Sequence, residues 1–204
     1  MQHISFSALK NWNQCPYYYK LTYVDKIKKF VGNHYTAFGT ALHEVCELNA
    51  EDNNLTGLPE LFESAFLREL QSLPEEARKE LKPKDIQDMR EQGRRLSVVA
   101  IPSLKSHFGE FEVVSTEEDL YESIEGFEDY NFKGFIDLVI KTPDGKFHVI
   151  DWKTCSWGWN TQKKSDPMTT YQLTYYKHFY AKKHNVPLKD IETHFGLLKR
   201  TSKK

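Results

Sequence analysis

The spacing of apolar and polar positions changes several times along the chain, and each change marks an element. Residues 111–124 alternate with period two, which predicts a strand with one buried face. Residues 132–141 and 147–154 are rich in Val, Ile and Phe and predict two more strands. Pro143-Asp144-Gly145 between them suits a three-residue hairpin loop. Proline sets φ at the first turn position, and Gly145 is free to take the left-handed position at its end. From 58 to 108 the spacing is helical. Leu61, Phe62, Ala65, Phe66 and Leu70 form one series, and Ile86, Met89, Leu96 and Val99 form a second. Pro74 and Pro83 punctuate this stretch, and Pro102 is expected to kink the helix over 85–108. Further helices are predicted from a Ser5 or Ser7 cap to Cys15-Pro16, over 39–47, and from Asp166-Pro167-Met168 to about Tyr180. Asn185-Val186-Pro187 ends the last of these, and 193–198 reads as a final strand.

The hairpin register has a chemical consequence. If Thr142 faces Lys146, Asp137 faces Asp151, with Cβ atoms about 4.5–5.5 Å apart. Period two then puts Lys153 on the face of Asp151. Facing carboxylates repel, and burying them adds a desolvation cost. A divalent cation between them removes both objections, and Mg²⁺ and Mn²⁺ favour oxygen ligands. The alternative is an exposed Asp151–Lys153 ion pair, worth about 0–1 kcal/mol.

Composition changes this picture in two ways. The 204 residues are 39% apolar and 28% charged, ordinary for one globular domain spanning 1–204. There is no run of about 18 apolar residues and no secretion signal at the start, so neither a membrane partner nor export is expected. Three scattered cysteines (Cys15, Cys46, Cys155) argue against a disulfide framework and for an intracellular, cytoplasmic setting. The net charge of −1 hides an asymmetry. Residues 1–43 carry five Lys/Arg against one Asp/Glu, residues 44–140 ten against twenty-three, and residues 141–204 thirteen against five. The two basic ends either meet in one surface for a polyanion or remain separate solvated faces.

Gly134-Phe135-Ile136-Asp137, a turn, and Ile150-Asp151-Trp152-Lys153-Thr154 resemble the core of the PD-(D/E)XK nucleases. The similarity is greatest to the RecB-like exonuclease branch, in the phage-type form without iron–sulfur cysteines. Three further stretches carry the resemblance: the S-x-S-x-L…C-P-aromatic opening, Gly39/His43 and Gln172/Tyr176. Gly39 to Glu47 also evokes the zinc-protease helix H-E-x-x-H, but Glu47 stands where the second histidine belongs.

The resemblance implies an α/β fold with a restriction-endonuclease-like core. Its mixed sheet of four to five strands, with an antiparallel central hairpin, is flanked by helices and carries a helical insert at about 55–108. It implies a metal-dependent DNA exonuclease acting in recombination, repair or replication. Its substrate would be DNA with a free end or single-stranded part. A structure-specific or restriction-like endonuclease and a cleavage-dead DNA-binding module are the alternatives. His43, Asp137, Asp151, the Trp152 carbonyl and Glu118, preferred over Glu117, would hold Mg²⁺ or Mn²⁺. Lys153 would position the attacking water, with Gln172 and Tyr176 orienting the lysine or a phosphate. Phe135 and Val139 would border the site. No cysteine follows Cys155, so no iron–sulfur cluster is expected and Cys15 reads as a small buried residue. Trp157 and Trp159, followed by Lys163 and Lys164, form a loop with the composition that grips a single strand, or one that packs on the sheet. The tyrosines around Tyr18 either stack on bases or pack at a core rim. Arg90, Arg94 and Arg95 face phosphate or solvent. The last residues, 200–204, read as a basic tail or as a chain cut short.

Overall fold

The hairpin turn forms as the loop chemistry requires. In this computed structural model, which describes residues 2–27 and 31–201, the Thr142 N–H donates to Lys146 O at 3.0 Å. Gly145 takes φ +87°, open to glycine without strain. The end of the expected tail, 202–204, lies outside the described residues.

In chain order the elements are β1 (Gln2–Ser5), α1 (Phe6–Gln14), α2 (Pro16–Tyr19), a π-helical turn (Lys20–Val24), α3 (His34–Glu51), α4 (Leu58–Ser72), α5 (Glu75–Lys79), α6 (Pro83–Ser97), α7 (Ala100–Phe108), β2 (Glu112–Ile124), β3 (Phe127–Lys141), β4 (Phe147–Cys155), α8 (Thr161–Ser165), α9 (Pro167–His184) and β5 (Ile191–Lys199). Among the described residues the strands form one mixed sheet of order β1-β3-β4-β5, with β2 also on β3. The β3–β4 hairpin is antiparallel, and β4–β5 and β1–β3 are parallel. Among the described residues no helix is long and apolar enough to cross a membrane.

Two cores cover the sheet. On one face Leu138, Ile140, Ile150 and Trp152 pack with α3, α4, α6 and α7. Phe38, Phe62 and Phe66 form an aromatic cluster there with ring centroids 5.4–5.8 Å apart. On the other face Val139 and Val149 pack under α9 with Leu173, Tyr176 and Phe179. Phe132 stacks on Phe179 at 4.3 Å.

Several local expectations are corrected. The helix bearing His43 starts at His34, where Asn33 and Thr36 form a reciprocal capping box, rather than at Gly39. The stretch 85–108 is two helices instead of one kinked helix. Pro102 has no N–H to donate to the Val98 carbonyl, so the helix breaks at Val98-Val99 and restarts. Cys15 is exposed, and its Sγ caps α2 by accepting from the Tyr18 N–H.

The topology leaves one opening. β2 pairs along β3 from Phe127 to Lys141, so β1 and β4 must share the other edge. β1 takes Tyr130–Lys133 and β4 takes Leu138–Lys141. Residues 134–137 of that edge are left between them. Ile136 belongs to the α9 core and Leu138 to the α3 core, so β3 also rotates about Asp137.

Candidate active site

This opening is filled by side chains rather than by a strand. The ladder ends at Leu138–Ile150, and its register, continued one step, sets Asp137 opposite Asp151 as expected. Asp137 Oδ2 accepts the Trp152 backbone N–H at 2.6 Å, a donor the ladder no longer uses. His43 Nδ1, from α3, stands 3.6 Å from the same oxygen. From α9, Gln172 Nε2 donates to Asp151 Oδ1 at 3.0 Å and to the Tyr176 hydroxyl at 3.0 Å. Gln172 therefore grips Asp151, where the expectation was that it orients Lys153 or a phosphate. A Cβ on Gly134 would meet the Tyr176 ring at 2.8 Å, so the ring reaches the sheet only over a glycine.

Asp151 is 2% exposed. Its Oδ2 is buried, and the Lys153 ammonium lies against it as an ion pair. Burial pushes the Asp151 carboxyl up to about 6, with Asp137 adding to the rise and Lys153 opposing it. Glu117 rises by burial and by the charge of Asp137. Glu47 rises by burial and by Glu117, Glu51, Glu44 and Asp137. The opening is thus a cluster of acids raised by burial and by one another.

Glu117 and Glu118 have exchanged the places expected of them. The β2–β3 register puts Glu117 opposite Asp137, in a left-handed conformation at φ +43°. That conformation costs a non-glycine residue about 1–2 kcal/mol. Glu118 is turned away and held by Lys183 at 2.7 Å and His184 at 2.8 Å. Burial raises its carboxyl, but these bonds outweigh burial and hold it below the usual range. Phe135 is half exposed beside the opening, whereas Val139 is wholly buried in the α9 core.

The aromatic loop after β4 joins the site through Phe195, which faces Asp151 across the β4–β5 ladder. Lys153 Nζ lies 5.9 Å from the Phe195 ring centroid, and Trp159 packs on that ring at 4.7 Å. Lys163 Nζ stands 5.7 Å from the Trp159 centroid. Trp157 is 73% exposed. Trp157, Gly158, Trp159, Asn160 and Lys163 line a shallow cleft, and Lys164 is exposed one residue on. Tyr18 stands half-buried on α2. Arg90 and Arg94 are taken up by Glu60 and Glu63, and Arg95 donates to the Arg200 carbonyl.

The donor set suits a hard divalent cation: carboxylate oxygens in excess of positive charge, one of them buried against a lysine ammonium, and a histidine alongside. The family model of the PD-(D/E)XK nuclease superfamily matches residues 3–201. No curated protein matches the chain.

Proposed function

The chain belongs to the PD-(D/E)XK nuclease superfamily, whose activity is metal-dependent phosphodiester hydrolysis, and from that premise we propose that it is a DNA exonuclease working at the opening between β1 and β4. One observation carries this reading. Asp151 is buried opposite Asp137, with Glu117 and Glu47 beside them and Lys153 and His43 as partners.

In this reading Asp137 and Asp151 hold Mg²⁺ or Mn²⁺, with His43, Glu117 and the Trp152 carbonyl around them. The bound ion supplies a Lewis acid for the scissile phosphate and a water of lowered pKa. The protein's own groups do the rest. Gln172 fixes Asp151 Oδ1, and Lys153 meets Oδ2. The Trp152 N–H fixes Asp137. Lys153, about one third exposed, presents its ammonium to the attacking water and to charge developing on the phosphate. Tyr176, pinned over Gly134 and bonded to Gln172, positions that amide. Phe195, Trp159, Trp157, Lys163 and Lys164 offer stacking faces and positive charge to an incoming strand. Residues 1–204 act as one nuclease domain, and recombination, repair or replication is the setting in which an end-directed deoxyribonuclease is used.

The test is cleavage of end-labelled single- and double-stranded linear DNA beside closed circular DNA, with Mg²⁺ or Mn²⁺. Linear substrates degraded from an end, with circles left intact, are expected. Cleavage of the circles replaces the exonuclease with an endonuclease. DNA binding without any cleavage leaves a binding module.

A further inference from the structure

A second group of ligand-type side chains lies on the opposite face of the sheet. In the β4–β5 register His148 faces Glu192 and Ile150 faces His194. Residues 148, 150 and 152 alternate with Asp151, and Ile150 and Trp152 belong to the α3 core. Alternation therefore sets this group on the sheet face opposite to the Asp151 side chain. Ligand atoms of His148, Glu192 and His194 all lie within 4.8 Å of one another. His148 Nδ1 is 3.1 Å from His194 Nε2 and 3.8 Å from Glu192 Oε2.

Proton bookkeeping decides what these atoms offer. The Thr142 hydroxyl donates its single proton to Asp144, a carboxylate that only accepts. Its oxygen is 3.0 Å from His148 Nε2, so that contact requires an N–H on Nε2. A neutral His148 then carries its lone pair on Nδ1, aimed at His194 and Glu192. Lys146 occupies Glu192 Oε1, leaving Oε2 on the side of His148. A tetrahedral Zn²⁺ with Zn–N of about 2.0–2.1 Å sets its ligand atoms about 3.3–3.4 Å apart, close to the spacing found between the two rings. The Thr142–His148 contact is the outer-shell partner that fixes a ligand's tautomer.

We propose that His148, His194 and Glu192 form a second metal site, specific for a borderline cation such as Zn²⁺ and independent of the nuclease centre. Two nitrogens and one oxygen select Zn²⁺ over Mg²⁺. His194 also lines a cavity of about 310 Å³, together with His107, Phe108 and Trp152. The His107 ring centroid is 6.5 Å from that of His194. An ion there would clamp the start of β4 to β5, the strand carrying Phe195.

The experiment is Zn²⁺ binding to the full chain by competition with a chromophoric chelator, in wild type and in Asp137→Asn/Asp151→Asn. One equivalent that survives in the double variant is expected. His194→Gln in that background should abolish it, and Thr142→Val should weaken it about 10–100-fold. Thr142→Val leaves all three ligands in place, so it tests the site even where a ligand variant folds poorly. Imidazole ¹⁵N shifts of the metal-free protein should show His148 protonated on Nε2. Loss of Zn²⁺ binding in the double variant, unchanged binding in His194→Gln, or His148 protonated on Nδ1 overturns the proposal.

Discussion

Where α4 meets α6, acids and bases are matched one for one. Arg90 reaches Glu63 at 3.0 Å, and Arg94 reaches Glu60 at 2.8 Å and Glu63 at 3.3 Å, all at partly exposed positions. At the opening between β1 and β4 the matching fails. Glu47, Glu117, Asp137 and Asp151 meet with only Lys153 and His43, and burial raises the carboxyls of Asp151, Glu117 and Glu47. Both regions are dense in charge. The first is glue of modest value, because exposed pairs contribute about 0–1 kcal/mol. The second carries a standing repulsion that a folded chain keeps only where something else offsets it. Charge density therefore does not single out a site, but unmatched charge held in place by hydrogen bonds does.

The largest expected break in this contrast is at the carboxylates. Asp151→Asn or Asp137→Asn should reduce metal-dependent cleavage by more than about 10³-fold, several kcal/mol of barrier. Calorimetry should show Mn²⁺ binding sharply weakened in both. Mn²⁺ binding unchanged in both variants would remove the proposed centre.

Next in size is the cost of holding Asp151 ionised without metal. Its folded pKa of about 6 lies above the ordinary 3.8. Between these values the folded state holds a proton that the unfolded state has lost, so stability falls as pH rises through about 6. The whole drop is about 3 kcal/mol, of which about 2 kcal/mol falls between pH 4.5 and 8. Denaturant titrations in chelator at pH 4.5 and 8 should show this loss in wild type and its absence in Asp151→Asn, which should be the more stable protein at pH 8. Parallel pH profiles for the two proteins would mean that the carboxylate is not strained.

A smaller effect separates the neighbouring glutamates. Glu117→Gln should lower the single-turnover rate about 10–100-fold at limiting Mn²⁺, the scale of a supporting metal-site group. Glu118→Gln should leave that rate within about threefold, since it loses only its bonds to Lys183 and His184. The reverse order would return the metal-facing role to Glu118. The smallest effect belongs to the matched region. Arg94→Ala should cost at most about 1 kcal/mol of stability, read from denaturant midpoints, and leave cleavage unchanged.

Much of this contrast was legible in the residues themselves. Pro143-Asp144-Gly145 pins the hairpin register, and period two then sets Asp137, Asp151 and Lys153 together without any tertiary information. Gln172 and Tyr176 follow from helical spacing, yet their target, Asp151, depends on where α9 docks. The Glu117/Glu118 choice was not legible, because alternation puts the two acids on opposite faces but the irregularity between Val113 and Ser115 hides its phase. Only the left-handed Glu117 and the rotation of β3 decide which one turns inward. The opening itself depends on β1, four residues whose pairing with β3 is long-range and leaves no periodic trace. The His148–His194 pair leaves no trace in the sequence for the same reason: its members are 46 positions apart and meet through the parallel β4–β5 ladder.

Lys153 joins the two halves of the comparison, since it is at once an ion-pair partner and the group assigned to the chemistry. The direct test is single-turnover DNA cleavage by folded Lys153→Ala at saturating Mn²⁺, with Mn²⁺ affinity measured on the same protein. A catalytic lysine predicts a fall of about 10²–10³ in rate with metal affinity equal to wild type or tighter, because a neighbouring positive charge is gone. A rate within about threefold of wild type, small against that effect, would make Asp151–Lys153 an ion pair like those between α4 and α6 and contradict the account.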